Sequence, residues 1–109
     1  MYFVNKEKTP FIIAELSGNH NGQIGNVFKL IDAAKFAGAD AIKIQTYSPE
    51  TITIQSNNED FLIKDGPWKG YNLYDLYKKA CTPYQWHEDI FNFAKKQNIK
   101  IFSSPFSEF

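Results

Sequence analysis

At 109 residues the chain can hold one small domain, and its 12 Lys plus Arg balance its 12 Asp plus Glu. That neutrality, with no long basic tract, excludes a polyanion-binding surface for nucleic acid and offers nothing to hold an anionic membrane. Cys81 is the only cysteine, so an internal disulfide and cysteine-based zinc spacing are both excluded, and a reducing, cytoplasmic setting is expected.

Residues 1–10 mix Lys, Glu and Asn with scattered apolar positions and hold no apolar run of signal-peptide length. Phe11-Ile12-Ile13-Ala14-Glu15-Leu16 is nearly continuous in apolar character, the pattern of a strand covered on both faces in a parallel sheet. Residues 17–25, rich in Gly and Asn, read as a loop. Beyond them Val27, Leu30, Ile31, Ala34 and Ala37 recur on one helical face, and Gly38 stops that helix. Residues 39–46 give a second strand.

Residues 47–70 are long for a connection in a compact domain, where about 2–6 residues is usual, and such length marks a binding loop or lid. A short strand or turn is expected near Phe61-Leu62-Ile63. Asn72 caps a short helix through Leu76 and Ala80. Thr82-Pro83-Tyr84-Gln85 has the form of a capping box with Pro at the first helical position. The helix it opens turns His87, Ile90, Phe91 and Ala94 inward, carries Lys95 and Lys96 in its last turn, and ends at Asn98. Residues 100–103 form a third strand, closed by Ser104-Pro105 because proline cannot donate to a ladder.

The order β-α-β-α-β makes this an α/β protein with about three parallel strands, and both a doubly wound sheet and a TIM (β/α)8 barrel begin this way. Ser17-Gly18-Asn19-His20-Asn21-Gly22 lacks the Gly-x-Gly-x-x-Gly spacing, which weakens a dinucleotide-binding reading.

Alternation along the strands separates two faces. Ile12, Ala14 and Leu16, then Ile42 and Ile44, form apolar faces suited to helices; Ile13 and Glu15, then Ala41, Lys43 and Gln45, point the other way. In a barrel that other side is the interior, where polar groups near the C-terminal strand ends serve catalysis. Glu15, Lys43, Gln45 and Ser103 are placed there. Charges left dry and unpaired cost several kcal/mol, so Glu15 and Lys43 pair, hydrate or hold a ligand; a purely structural ion pair between neighbouring strands is the competing account. Asn19, His20 and Asn21 lie in the first strand-to-helix loop, as pocket wall or as plain turn. His87, on the core side of its helix, reads as structural. Trp68, Tyr71, Tyr74 and Tyr77 suit packing of a loop and helix better than stacking on a sugar, and Cys81 reads as an inert buried thiol.

Three blocks, residues 11–22 (FIIAELSGNHNG), 37–47 (AGADAIKIQTY) and 101–106 (IFSSPF), together resemble the N-terminal part of the sialic acid synthase family. Residues 66–70, 73–77 and 82–87 look most like its pseudaminic acid synthase branch, with N-acetylneuraminate and legionaminate synthases as the alternatives. The resemblance implies the N-terminal portion of a single TIM-barrel synthase domain over residues 1–109, without the small C-terminal antifreeze-like domain. It implies condensation of phosphoenolpyruvate with an N-acetylated amino sugar to a nonulosonic acid, and a homodimer for the complete enzyme. It also implies a divalent cation, Mn²⁺ or Mg²⁺, whose ligands are not in this chain. By the same resemblance Glu15 handles a proton or orients the attacking group, and Lys43 meets the phosphoenolpyruvate anion. Gln45 contacts the acceptor sugar, while Asn19, His20, Ser104 and Phe106 line the pocket. A non-catalytic sugar-binding or scaffold piece is the reading from another class. The chain alone is expected to be inactive and marginally folded, because barrel closure normally removes its open strand edges.

Overall fold

A computed structural model describes residues 9–108; the first eight residues, part of the stretch read for a targeting segment, lie outside the described residues. Strand β1 (Ile13–Glu15), helix α1 (Ile24–Phe36) and strand β2 (Ala41–Thr46) form the first unit. The second connection carries α2 (Pro49–Ile52), α3 (Leu73–Ala80) and α4 (His87–Lys96) before β3 (Lys100–Pro105). All pairing is parallel, in the order β1-β2-β3. That order also occurs in half of a doubly wound sheet, so topology alone does not choose between the two architectures.

One face of the sheet is dry. Leu16, Ile42, Ile44 and Ile99 meet Val27 and Ile31 of α1 and Ile90 and Ala94 of α4 in a single buried cluster. Both long helices therefore lie on the same side, as the apolar strand faces require. The helix stops are as expected: Gly38 has φ +94° and Asn98 φ +56°, left-handed positions at which a helix turns off. Asn72 caps α3, accepting at Oδ1 from the Asp75 amide at 2.8 Å.

Several local expectations are corrected. Residues 11–13 stay exposed, Phe11 by 59%, so β1 is covered on its helix side only from Ala14 onward. Phe93, not Phe91, supplies the aromatic on the core side of α4, its ring 4.6 Å from that of Phe28. The proposed capping box does not form. Residues 84–86 make a 3-10 turn with no side-chain cap, and α4 starts at His87. The turn near residue 61 is a 3-10 turn at Glu59–Phe61 followed by an isolated antiparallel bridge from Leu62 to Asn72. Short α2 was not anticipated; Ser48 precedes it, with Pro at its first turn.

Proline does not end β3. Pro105 still pairs in register with Thr46, and the Phe106 amide bonds the Thr46 carbonyl at 3.1 Å. In a parallel ladder alternate residues address opposite neighbours. Phe106 donates toward β2, so Pro105 presents its missing N–H to the other side, where no described strand needs it. Among the described residues no helix is long and apolar enough to cross a membrane.

Candidate active site at the C-terminal ends of the strands

The register brings Glu15 directly opposite Lys43, and Lys43 opposite Phe102; Gln45 stands opposite Ser104. Cross-strand partners share a face, so Glu15, Lys43, Gln45, Phe102 and Ser104 make one surface. Ser103 does not belong to it, contrary to the sequence reading. Its parity matches Ile101 and Ile44, and it turns toward the helices, where its hydroxyl contacts Thr46 Oγ1 and the Ile44 carbonyl. Thr46 Oγ1 in turn lies 2.6 Å from His87 Nε2. His87 Nδ1 lies 3.2 Å from the Pro83 carbonyl and donates to it, because a carbonyl only accepts. His87 thus ties α4 to the ends of β2 and β3, a structural task.

Glu15 and Lys43 form an ion pair, Oε2 to Nζ 3.0 Å, with about a third of each side chain exposed, 34% and 33%. Glu15 Oε1 also accepts from the Ser17 amide at 3.2 Å and the Ser17 hydroxyl at 3.3 Å. The carboxylate is held from two sides, while both charges stay open to an entering ligand.

Beside this pair lies a groove of about 290 Å³ lined by Ser17, Asn19, Gln45, Tyr47, Trp68 and Tyr77 among others. Its wall comes from the long connection. Tyr47, 5% exposed, packs edge-on against Tyr77 of α3 and against Phe106, both at 5.8 Å between centroids, so α3 is pinned over the strand ends. Burial, with smaller contributions from Cys81 and Tyr77, pushes the Tyr47 hydroxyl up to about 12, so it stays neutral. Burial also raises the Cys81 thiol. Tyr74 donates to Glu50 at 2.7 Å, a bond that lowers the Glu50 carboxyl and joins α3 to α2.

The loop after β1 sorts its residues. Asn19 lines the groove, whereas His20 is 2% exposed beneath it. Its Nδ1 accepts from the Gly22 amide at 2.9 Å, its ring meets Trp86 edge-on at 5.2 Å, and its Nε2 has no hydrogen-bond partner. Ser17 and Asn21 at φ 48° and 51° and Gly22 at φ 74° give the tight course that buries this ring. His20 therefore shapes the loop from below. Of the positions taken from the resemblance, the structure gathers Glu15, Lys43, Gln45, Asn19, Ser104 and Phe106 at one end of the sheet. Ser17 and Tyr47 were not singled out from sequence. Trp68 was assigned to packing, yet it is 55% exposed along the groove.

Burial lowers His20 below the usual imidazole value, outweighing the nearby Ala80 carbonyl, which makes no well-formed hydrogen bond to the ring but favours its charged form. The unfolded chain then binds this proton more readily, so stability is full above about pH 6.5 and falls as pH drops through the window below it. Urea midpoints between pH 7.5 and 5.5 should decline on acidification, by at most about 1.4 kcal/mol per pH unit from this residue. The slope should flatten in His20→Phe; an unchanged slope would assign the effect elsewhere.

Among the described residues no three His, Cys, Asp or Glu side chains converge to hold a metal ion.

Parallel strands with one helix-covered face and a polar site at their C-terminal ends are shared by the start of a TIM (β/α)8 barrel and of an open sheet, and likeness to a solved relative selects the barrel. The chain belongs to the NeuB family, which matches residues 30–109. It is 55% identical over 104 residues to the pseudaminic acid synthase of Campylobacter jejuni subsp. jejuni serotype O:2, covering 95% of this chain and 30% of that protein. It is 46% identical over 98 residues to the pseudaminic acid synthase of Helicobacter pylori, covering 90% and 29%. Among solved structures, the N-acetylneuraminic acid synthetase of Leptospira borgpetersenii in complex with citrate superposes with a TM-score of 0.69 at 30% identity, over 90% of this chain and 30% of that one. The chain spans about 30% of the length of the relatives it matches.

Proposed function

We infer that these residues are the N-terminal part of the barrel domain of a phosphoenolpyruvate-dependent nonulosonate synthase, and that its product is pseudaminic acid. The observation that carries this reading is the Glu15–Lys43 pair set beside a neutral, aromatic-walled groove at the strand ends. The branch rests on 55% and 46% identity to pseudaminic acid synthases, against 30% to the N-acetylneuraminic acid synthetase. A cytoplasmic homodimeric enzyme, with a C-terminal antifreeze-like domain outside these residues, belongs to the same proposal.

In the reaction, C3 of phosphoenolpyruvate bonds to the aldehyde carbon of the open-chain sugar, whose oxygen takes a proton. Water adds at C2, where cationic character develops, and the C–O bond to phosphate then breaks to leave the keto acid and inorganic phosphate. Lys43 meets the phosphoenolpyruvate anion, since a fixed cation stabilises a bound anion without reorganisation. Glu15 offsets the charge developing at C2 and handles a proton there. Gln45 and Asn19 orient the sugar, with Ser104 and Phe106 closing that wall. Mn²⁺ or Mg²⁺, which the family resemblance implies, finds no ligand set among the described residues, and its ligands are assigned to other parts of the synthase.

The test is phosphate release from phosphoenolpyruvate with the diacetamido-trideoxy-altrose acceptor and Mn²⁺, in a chain completed to the length of its relatives. Turnover is expected; no release with this acceptor or with N-acetylmannosamine overturns the enzyme reading. The alternative, a sugar-binding piece without catalysis, requires the 109 residues to bind a sugar by themselves, which titration decides.

A further inference from the structure

Among the described residues, only His20 buries a side-chain polar atom that has no hydrogen-bond partner, its Nε2. The ring is almost wholly buried and does not border the groove, although Asn19 beside it does. Its other nitrogen, Nδ1, accepts from the Gly22 amide at 2.9 Å. An amide only donates, so Nδ1 carries no proton. In the neutral ring the proton then sits on Nε2, where no well-formed bond receives it. Burying such a donor disfavours the fold. A phenyl ring could pack edge-on against Trp86, as the imidazole does at 5.2 Å between centroids, without that penalty. Packing alone therefore does not account for an imidazole at this position. What it adds over a phenyl ring is the acceptor at Nδ1.

That acceptor holds a strained loop. Ser17 and Asn21 take left-handed backbone angles, φ 48° and 51°, without being glycine, and Gly22 follows at φ 74°. Residues that carry a side chain keep such angles only where the surroundings impose them. His20 stands between the two and bonds the far end of the loop. Nδ1 holds Gly22, and the His20 carbonyl accepts from the Gln23 amide at 3.1 Å and from the Asn26 side chain at 2.8 Å, at the entrance of α1. The near end is tied to the strands: the Asn19 amide bonds the Leu16 carbonyl at 3.1 Å, and the Leu16 amide bonds the Lys43 carbonyl at 2.9 Å. Between these anchors stands Ser17, whose amide and hydroxyl reach Glu15 Oε1 at 3.2 and 3.3 Å. The course of the loop thus decides where the Glu15 carboxylate is held.

We propose that His20 is a positioning residue: its Nδ1 fixes the loop after β1 in the left-handed course that sets Ser17 on Glu15. It acts on the reaction through that carboxylate and touches no substrate. This rests on the synthase reading above.

The measurement is kcat and KM for both substrates, in the chain completed to the length of its relatives, for His20→Asn, His20→Gln, His20→Phe, and His20→Gln combined with Glu15→Gln. Asn places an amide oxygen near Nδ1 and still accepts from Gly22; Gln reaches toward Nε2 instead, and Phe has no acceptor. In His20→Gln and His20→Phe kcat should fall about tenfold with KM for both substrates within about twofold, while His20→Asn loses no more than about threefold. Added to Glu15→Gln, His20→Gln should lower kcat by less than about twofold further, because the group it positions is already gone. Equal kcat in the Asn and Gln variants, a loss that falls on KM alone, or a tenfold loss repeated in the Glu15→Gln background overturns the proposal. If His20→Phe does not fold, the comparison of Asn with Gln decides. An unmodified protein that releases no phosphate from phosphoenolpyruvate refutes the synthase reading itself; turnover left unmoved by His20→Gln refutes only the role of His20.

Discussion

In the chain completed to the length of its relatives, Lys43→Met should lower kcat/KM for phosphoenolpyruvate by about 10²–10³-fold, and Glu15→Gln should lower kcat by about 10²-fold or more, while neither shifts stability by more than about 1 kcal/mol. The contrast follows from the setting of the pair. The two groups lie 3.0 Å apart but are each about one-third exposed, so water screens their attraction and little folding energy depends on it. A bound anion would displace that water and raise the value of the Lys43 charge. The competing account, a tie between β1 and β2, predicts the reverse ratio: a lowered urea midpoint and a proportionate loss of activity. Charge exchange separates the two. In the double variant Glu15→Lys with Lys43→Glu the cross-strand pair is regenerated, so a structural tie would recover both stability and turnover. A catalytic pair would recover stability only, because the cation would then stand on the wrong strand for the phosphoenolpyruvate anion. Recovery of turnover in the exchanged protein would remove both residues from the catalytic assignment.

The site was legible where it lies on strands and obscure where it lies on loops. Period-two alternation placed Glu15, Lys43 and Gln45 on one face, and the register agrees residue by residue. The same rule failed at Ser103 because alternation within one strand does not say how that strand is set against its neighbour. Pairing Lys43 with Phe102 puts Ser103 on the helix side, and only a cross-strand register carries that information. Pro105 misled for a related reason: whether a missing N–H matters depends on which neighbour it faces. His20 and Trp68 exchanged places between expectation and structure. A polar residue in a glycine-rich loop looks like pocket lining, and an indole looks like core, yet left-handed turns at Ser17, Asn21 and Gly22 bury the imidazole, while Trp68 sits far along a connection whose course is set by Tyr47, Tyr77 and Phe106. These are contacts between distant segments, and local periodicity has no term for them. The choice of a barrel over a doubly wound sheet was equally beyond the strand order and came from likeness to a solved relative.

Gly18→Ala should reduce activity by about 10²-fold and cost about 1–3 kcal/mol of stability, although it adds one methyl group to a surface loop. A Cβ at this position would lie 2.7 Å from the Ala80 carbonyl oxygen and 3.0 Å from the Ala80 Cβ. The nearer atom is backbone at the C-terminal end of α3, and the next amide, that of Cys81, is already bonded to the Tyr77 carbonyl at 2.8 Å. No side-chain rotation relieves the contact, so α3 and the loop after β1 must separate by several tenths of an ångström. Gly18, Leu76 and Ala80 line the groove beside the ion pair, and that separation would widen the proposed acceptor site where near-attack geometry depends on close fit. The burden should fall on kcat and on KM for the sugar, leaving KM for phosphoenolpyruvate nearly unchanged because Lys43 stands on β2. Ala80→Gly supplies the control. It removes the Cβ contact but leaves the carbonyl, so it should not restore Gly18→Ala. Full rescue by Ala80→Gly would show that the clash is between side chains, and wild-type kinetics in Gly18→Ala would show that this close approach does not set the width of the groove.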